Sequence, residues 1–262
     1  MTRPTQHRLG VAARRPMCDD RDMIRFDRDA ELETWPTIPA SELVAGNPVQ
    51  RGLTLLDEPS LGLSAGIWDC TAHTSVWVDQ PTNEFMILLE GEVTIVDDAG
   101  ETTFRAGDAF VLPQGLHCLW QQPGYVKKFW FTFEDTSGRP AAGGPRAILV
   151  DPAAPLSVSA PPPPETLFSG SPVQQAHESF VDPTGQFSVG IWDTTAYHRR
   201  LVPFDRWELM HIMQGEAVLA DDEGRAEIVT VGDTIMEPLG APTTWQGEGY
   251  LKKIYCIFRP AT

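Results

Sequence analysis

The sequence predicts an all-β protein made of two similar β units in tandem, and three observations predict it. The stretch EFMILLEGEVTIVDDAG (Glu84 to Gly100) returns as ELMHIMQGEAVLADDEG (Glu208 to Gly224), 124 positions later, and self-similarity at a fixed period marks a repeated structural unit. Within each copy the segments are short, rich in Val, Ile, Phe, Trp and Thr, and divided by turn signals such as DDAG and DDEG, the pattern of antiparallel strands. No window of eleven or more residues holds a helical period, so the units are sandwiches or barrels of short strands.

In chain order, residues 1–22 are expected to form a disordered basic tail, with Arg3, Arg8, Arg14 and Arg15 and no acid before residue 17. The first unit spans 23–135. In it LVAGNPVQ (Leu43 to Gln50) and GIWDCTA (Gly66 to Ala72) match LFSGSPVQ and GIWDTTA at the same offset of 124. EVTIVDDAGETTF alternates polar and apolar residues around an acidic turn, which reads as a hairpin. One inserted residue then moves the offset to 125, where GDAFVLPQG (Gly107 to Gly115) matches GDTIMEPLG, and GYVKKFWFTF (Gly124 to Phe133) matches GYLKKIYCIF. Residues 136–166, dense in Pro, Gly and Ala with a four-proline run, are expected to be a stiff linker. The second unit spans 167–262.

A net charge of -16 argues against a nucleic-acid partner, because phosphate binders need a basic face. No apolar run reaches the roughly 20 residues of a membrane helix, and the N-terminus has no apolar signal core, so a cytoplasmic protein without a membrane partner is expected. Cys18, Cys70, Cys118 and Cys256 show no C-x-x-C spacing, which fits reduced thiols. Eight Trp and twelve Phe exceed the needs of two small cores; a homodimer, or packing of one barrel on the other, would absorb them.

The tail of the first copy's repeat, E-FMILLE-G, and its G-DAFVL-P-Q-G, with E-LMHIMQ-G and G-DTIMEP-L-G in the second, resemble the two sequence motifs of the cupin superfamily. The resemblance implies two tandem cupin barrels, double-stranded β-helices of the jelly-roll type. The GIWD turn, the E-[FL]-M stretch and the late lysine before an aromatic resemble the subgroup that contains ureidoglycine aminohydrolase and the ethanolamine-utilisation cupin. Metal-binding cupins use two histidines and the glutamate of the first motif and a histidine of the second. Here the histidine-pair positions fall on Trp77 and Asp79, or Val78 and Gln80, and the last on Cys118, with His117 one residue out of register. In the second copy they fall on Leu201 and Pro203, or Val202 and Phe204, and on Thr243. No metal cofactor is therefore expected. A departure from the pattern that gathers Glu84, His73 and Cys118 would be the route to a divalent Mn, Fe or Zn, and the resemblance to a manganese enzyme keeps that alternative open. His211, three residues after Glu208, falls on the opposite strand face and is expected to be hydrogen-bonded there.

Without a metal, Glu84 and Glu208 each stand as the one charge on an apolar wall shared with residues two and four positions on, and an unpaired carboxylate there costs several kcal/mol or takes up a proton. Strand alternation puts one lysine of each KK pair inside; the resemblance selects Lys128 with Trp130 and Lys253 with Tyr255. The expected pairs are Glu84 with Lys128 and Glu208 with Lys253. Parity places Cys118 with Trp120, and Thr243 with Trp245, on the same walls. The second copy adds Tyr197, His198, Arg199 and Arg206, and arginine forks suit carboxylates. Two functions follow. One is a non-catalytic bicupin that binds a small metabolite bearing a carboxylate or amine. The other is an enzyme of amine, ureido or carboxylate metabolism with Glu208 and Lys253 as acid and base.

Overall fold

The computed structural model describes residues 22–138 and 145–261, and among them there are strands and two short 3-10 turns but no α-helix. The basic stretch 1–21 lies outside the described residues. Each copy folds as a jelly-roll barrel of two sheets. In the first, a seven-stranded sheet runs in the order Ile148–Leu149, Ala109–Leu112, Asn83–Glu90, Val126–Phe133, Leu63–Cys70, Gln50–Glu58, Glu33–Thr34, and the opposing sheet is built on Glu92–Asp97 and His117–Gln122. In the second, the seven strands are Ile24–Arg25, Thr234–Glu237, Trp207–Gln214, Leu251–Phe258, Phe187–Thr194, Gln174–Val181 and Ser157–Ser159, facing a five-stranded sheet that contains Tyr197–Pro203 and Pro242–Gly247.

Both large sheets are covered on both faces, and alternation sorts their side chains. Met86, Leu88 and Trp130 line the interior of the first barrel with Ile95, Phe104 and Cys118. Met210 and Ile212 line the second with Tyr197, Leu219 and Trp245. The odd-numbered residues of the same strands, Phe85, Ile87, Phe129, Phe131 and Phe133, meet Phe187, Leu209, Cys256 and Phe258 in one core between the barrels. Many of the aromatics pack in this core within the chain. Phe187, with no exposure, packs its ring 5.5 Å from Phe131 and 6.0 Å from Phe133. Cys70, Cys118 and Cys256 are free and buried.

The duplication reaches further back than Leu43, where the sequence match begins. Ile24–Arg25 pairs with the second barrel's Thr234–Glu237, while Ile148–Leu149, 124 residues later, pairs with the first barrel's Ala109–Leu112. The geometry repeats bond for bond: Phe26 N donates to Thr234 O at 2.9 Å, and Val150 N to Ala109 O at 2.8 Å. The Pro-rich stretch is therefore the arm of the second copy, and each arm crosses to edge the other barrel. The residues from 23 that the sequence groups with the first barrel open as a strand of the second, because pairing follows the free sheet edge and not chain proximity.

Because the inter-barrel core is common to both halves, Phe187→Ala is expected to cost about 3–5 kcal/mol and to lower the stability of both barrels together. Chemical denaturation followed by tryptophan fluorescence checks this, and a loss confined to one of two resolved transitions contradicts it.

Candidate functional site

In each barrel a lysine and the motif glutamate form an enclosed ion pair. Lys128 Nζ donates to Glu84 Oε1 at 2.7 Å and lies 3.0 Å from Met86 Sδ, and Lys253 Nζ donates to Glu208 Oε1 at 2.8 Å and lies 2.9 Å from Met210 Sδ. A bulge in each sheet, between Lys127 and Lys128 and opposite Lys252 and Lys253, separates the inward lysine from its outward neighbour; Lys252 bonds Pro152 O instead. Two tryptophans complete each box. Lys128 sits 5.0 Å from the Trp68 ring and 4.9 Å from Trp120, and Lys253 sits 4.7 Å from Trp192 and 5.4 Å from Trp245. Cation–π attraction of this kind offsets part of the cost of burying an ammonium.

The motif glutamates are held by cations, and Glu208 stays ionised. Burial alone would raise the Glu208 carboxyl, but Lys253 and Arg206, which also hydrogen-bond it, together hold it down at about 2. Burial lowers Lys253 from its ordinary value against the pull of Glu208. Paired with two cations, Glu208 does not take up the proton that an unpaired carboxylate would, since their attraction outweighs desolvation. Arg206 Nε donates to Glu208 Oε2 at 2.8 Å and Nη1 reaches Asp205 at 2.5 Å.

Glu84, His73 and Cys118, the alternative route to a metal, do not converge among the described residues. Glu84 is taken up by Lys128 and by Gln80 Nε2 at 3.1 Å. His73 turns to Thr71 O at 3.2 Å and Cys70, and burial lowers its imidazole. Burial, with Asp97 and Glu84 adding, pushes the Cys118 thiol up to about 11. Among the described residues no three His, Cys, Asp or Glu side chains form such a group. An ammonium fills the place beside each glutamate, and the donor set Glu84, His73, Cys118 does not fit a divalent ion.

His198 lies apart from the second barrel's box. Alternation turns it away from Tyr197 and Arg199, and its ring rests 5.3 Å from exposed Phe168. His211 bonds Thr234 Oγ1 at 2.8 Å on the outer face. Trp130 and Tyr255 are buried against Gly66 and Gly190, where any Cβ would lie 2.1 Å from a backbone oxygen of the next strand and against these rings. An open concavity of about 450 Å³ lined in part by Glu92, Arg105 and Tyr125 gathers only a solvent-facing ion pair, and the chemistry concentrates inside the barrels.

The second barrel also contains a carboxyl that the sequence motifs do not single out. Glu237 is 1% exposed and accepts from Thr243 Oγ1 at 3.1 Å. Burial, partly offset by Thr243 and reinforced by Glu208, pushes its carboxyl up to about 7. The signal was present as a difference between copies: Glu237 stands opposite Leu112 at the offset of 125. Arg199 Nη2 donates to Thr243 O at 3.3 Å, and its guanidinium lies 5.2 Å from the Phe204 ring. Tyr197 stacks on Trp245 at 6.0 Å.

The model of the EutQ-like cupin domain matches residues 58–130 and 181–255. No curated protein matches the chain. Solved structures similar in fold include a protein of unknown function from Pseudomonas syringae pv. tomato (24% identity, 90% of this chain and 98% of that one, TM-score 0.74). Protein Ylba from E. coli is also similar (12%, 95% and 97%, TM-score 0.58), as is a single-residue mutant of the salicylate 1,2-dioxygenase from Pseudoaminobacter salicylatoxidans (16%, 79% and 76%, TM-score 0.53).

Two expectations follow. Lys128→Met strands Glu84 on an apolar wall and should cost about 3 kcal/mol, most of it regained in a Glu84→Leu/Lys128→Met double variant; urea denaturation of the three proteins measures both. A carboxyl raised from its usual 4.5 to about 7 holds its proton more tightly when folded, so stability falls as pH rises through that window and levels off above it. Glu208, held at about 2, contributes stability that is complete above its usual 4.5 and is lost as pH falls below it. Glu237→Gln should remove the first slope and stabilise the protein at pH above 7 by about 3 kcal/mol, read as thermal unfolding against pH; an unchanged profile contradicts it.

Proposed function

The chain belongs to the EutQ-like cupin domain family, and on that footing we propose that it is a small-molecule-binding bicupin whose ligand site is the second barrel and whose ligand is a small metabolite bearing a carboxylate or an amine. One observation carries this reading. The Glu–Lys pair with its two tryptophans occurs in both barrels and the ion pair is closed in each, whereas only the second adds Arg199, Arg206 and Glu237 to it, and it leaves Arg199 Nε and Glu237 Oε1 buried without a partner among the described residues. Unpaired buried polar atoms cost about 1–3 kcal/mol each, a cost that a bound ligand removes. Aromatic walls with a few convergent polar groups are the usual form of such a site.

A second reading, an acid–base enzyme of the kind found in the subgroup of ureidoglycine aminohydrolase, draws on Lys253, which burial pushes below its ordinary range even with Glu208 alongside. Glu208, firmly ionised, would then orient the lysine and not donate a proton.

A thermal-shift screen of small carboxylates and amines tests the first reading. A stabilising ligand should lose its effect in Arg199→Ala and keep it in Lys128→Met, which alters only the first barrel; the opposite pattern would move the site there. Turnover of any such ligand that is abolished in Glu208→Gln, with folding intact, would favour the enzyme.

A further inference from the structure

The first barrel serves as an internal reference for the second. With the offsets of 124 and 125, Arg199 replaces Ser75, Glu237 replaces Leu112, Thr243 replaces Cys118 and Gly247 replaces Gln122. The last exchange matters because Trp120 Nε1 donates to Gln122 Oε1 at 2.8 Å, whereas Trp245 Nε1, its counterpart beside Gly247, has no acceptor among the described residues. Trp130 Nε1 and Asn83 Nδ2 are unpartnered in the first barrel, but no charged group described there is. In the second barrel Arg199 Nε, Trp245 Nε1 and Glu237 Oε1 are all open and buried. Thr243 ties the first and last together, accepting from Arg199 through its carbonyl and donating to Glu237 through its hydroxyl.

The chemistry of these three atoms narrows the ligand. A guanidinium and an indole N–H only donate, so the ligand must accept twice, and an ammonium is excluded. The charge count narrows it further. Lys253 and Arg206 are taken up by Glu208 and Asp205, and Arg25 on the arm strand turns outward to Glu227 and Asp233. Arg200 rests on the exposed Phe168 ring and Lys252 on Pro152 O, so among the described cations directed at the interior Arg199 is the one without a carboxylate partner, which balances one negative charge if Glu237 is neutral. Glu237 faces Glu208 and Lys253 from the large sheet and Arg199 and Thr243 from the small one.

Building on the second barrel as the ligand site, we propose that it binds a small monocarboxylate anion, with Arg199 and Trp245 donating to its oxygens and Glu237, previously unassigned, taking up a proton to donate the third hydrogen bond. Two carboxyl groups then share one proton, the arrangement that like charges in contact enforce. A dicarboxylate brings a charge with no partner.

Calorimetry of the full chain with propionate, in buffers of different ionisation enthalpy, tests this, with propionamide and propylamine as shape-matched controls. Propionate should bind with uptake approaching one proton above pH 7, and its affinity should fall about tenfold per pH unit there, while Glu237→Gln should bind it with no proton uptake and a flat profile. Binding of propionate that is pH-independent in the unaltered protein but lost in Arg199→Ala would overturn the proton linkage and leave the second barrel as the site. Absent propionate binding, stronger binding of propylamine, or binding untouched by either variant would overturn the carboxylate site itself.

Discussion

A strand with protein on both faces leaves its side chains nowhere to meet water. That constraint governs the two large sheets, whose strands send alternate residues into a barrel and into the core between barrels. Any polar group placed on such a strand must find its partner inside, since desolvation is not repaid by solvent. Glu84 and Glu208 survive there because a lysine from the adjacent strand arrives at hydrogen-bond distance, with tryptophan faces to shield it. The pair costs more to bury than it returns unless every contact is made, and so it persists as a unit in both copies.

Duplication separates frame from function. What both barrels share, the glutamate, lysine, methionine and two tryptophans, is a self-contained solution to the burial of a charge. What only the second carries, Arg199, Arg206, Glu237 and the open Trp245 indole, is not needed for that solution, since the first barrel folds without it. Groups left unsatisfied in a fold whose sister copy shows how to satisfy them point to a role other than folding.

The sequence made the fold and the Glu–Lys pairs legible because both rest on period-two alternation seen twice, and alternation survives substitution of most residues. The inward lysine of each pair was not fixed by parity and needed the family resemblance, because a bulge interrupts the strand beside it. Glu237 is hard to see in the sequence because a repeat is recognised by its matches, and this residue is a mismatch beside a proline. His198 sits among basic neighbours in the sequence, although alternation turns it out. The arms are hidden because only scattered positions, such as Ile24 with Ile148 and Asp27 with Asp151, agree between them; backbone pairing at a sheet edge asks little of side chains.

The crossed arms carry a consequence for how such a chain comes to exist. A one-barrel unit with its arm would have a bare edge and an arm that reaches past it, and two copies would satisfy each other by exchange. The tandem chain has the geometry of that swapped pair made covalent, so that each barrel meets the other's arm at a fixed effective concentration set by the connecting chain. Joined in this way, two barrels can share one frame and differ in the residues that frame does not need, as Leu112 and Glu237 do.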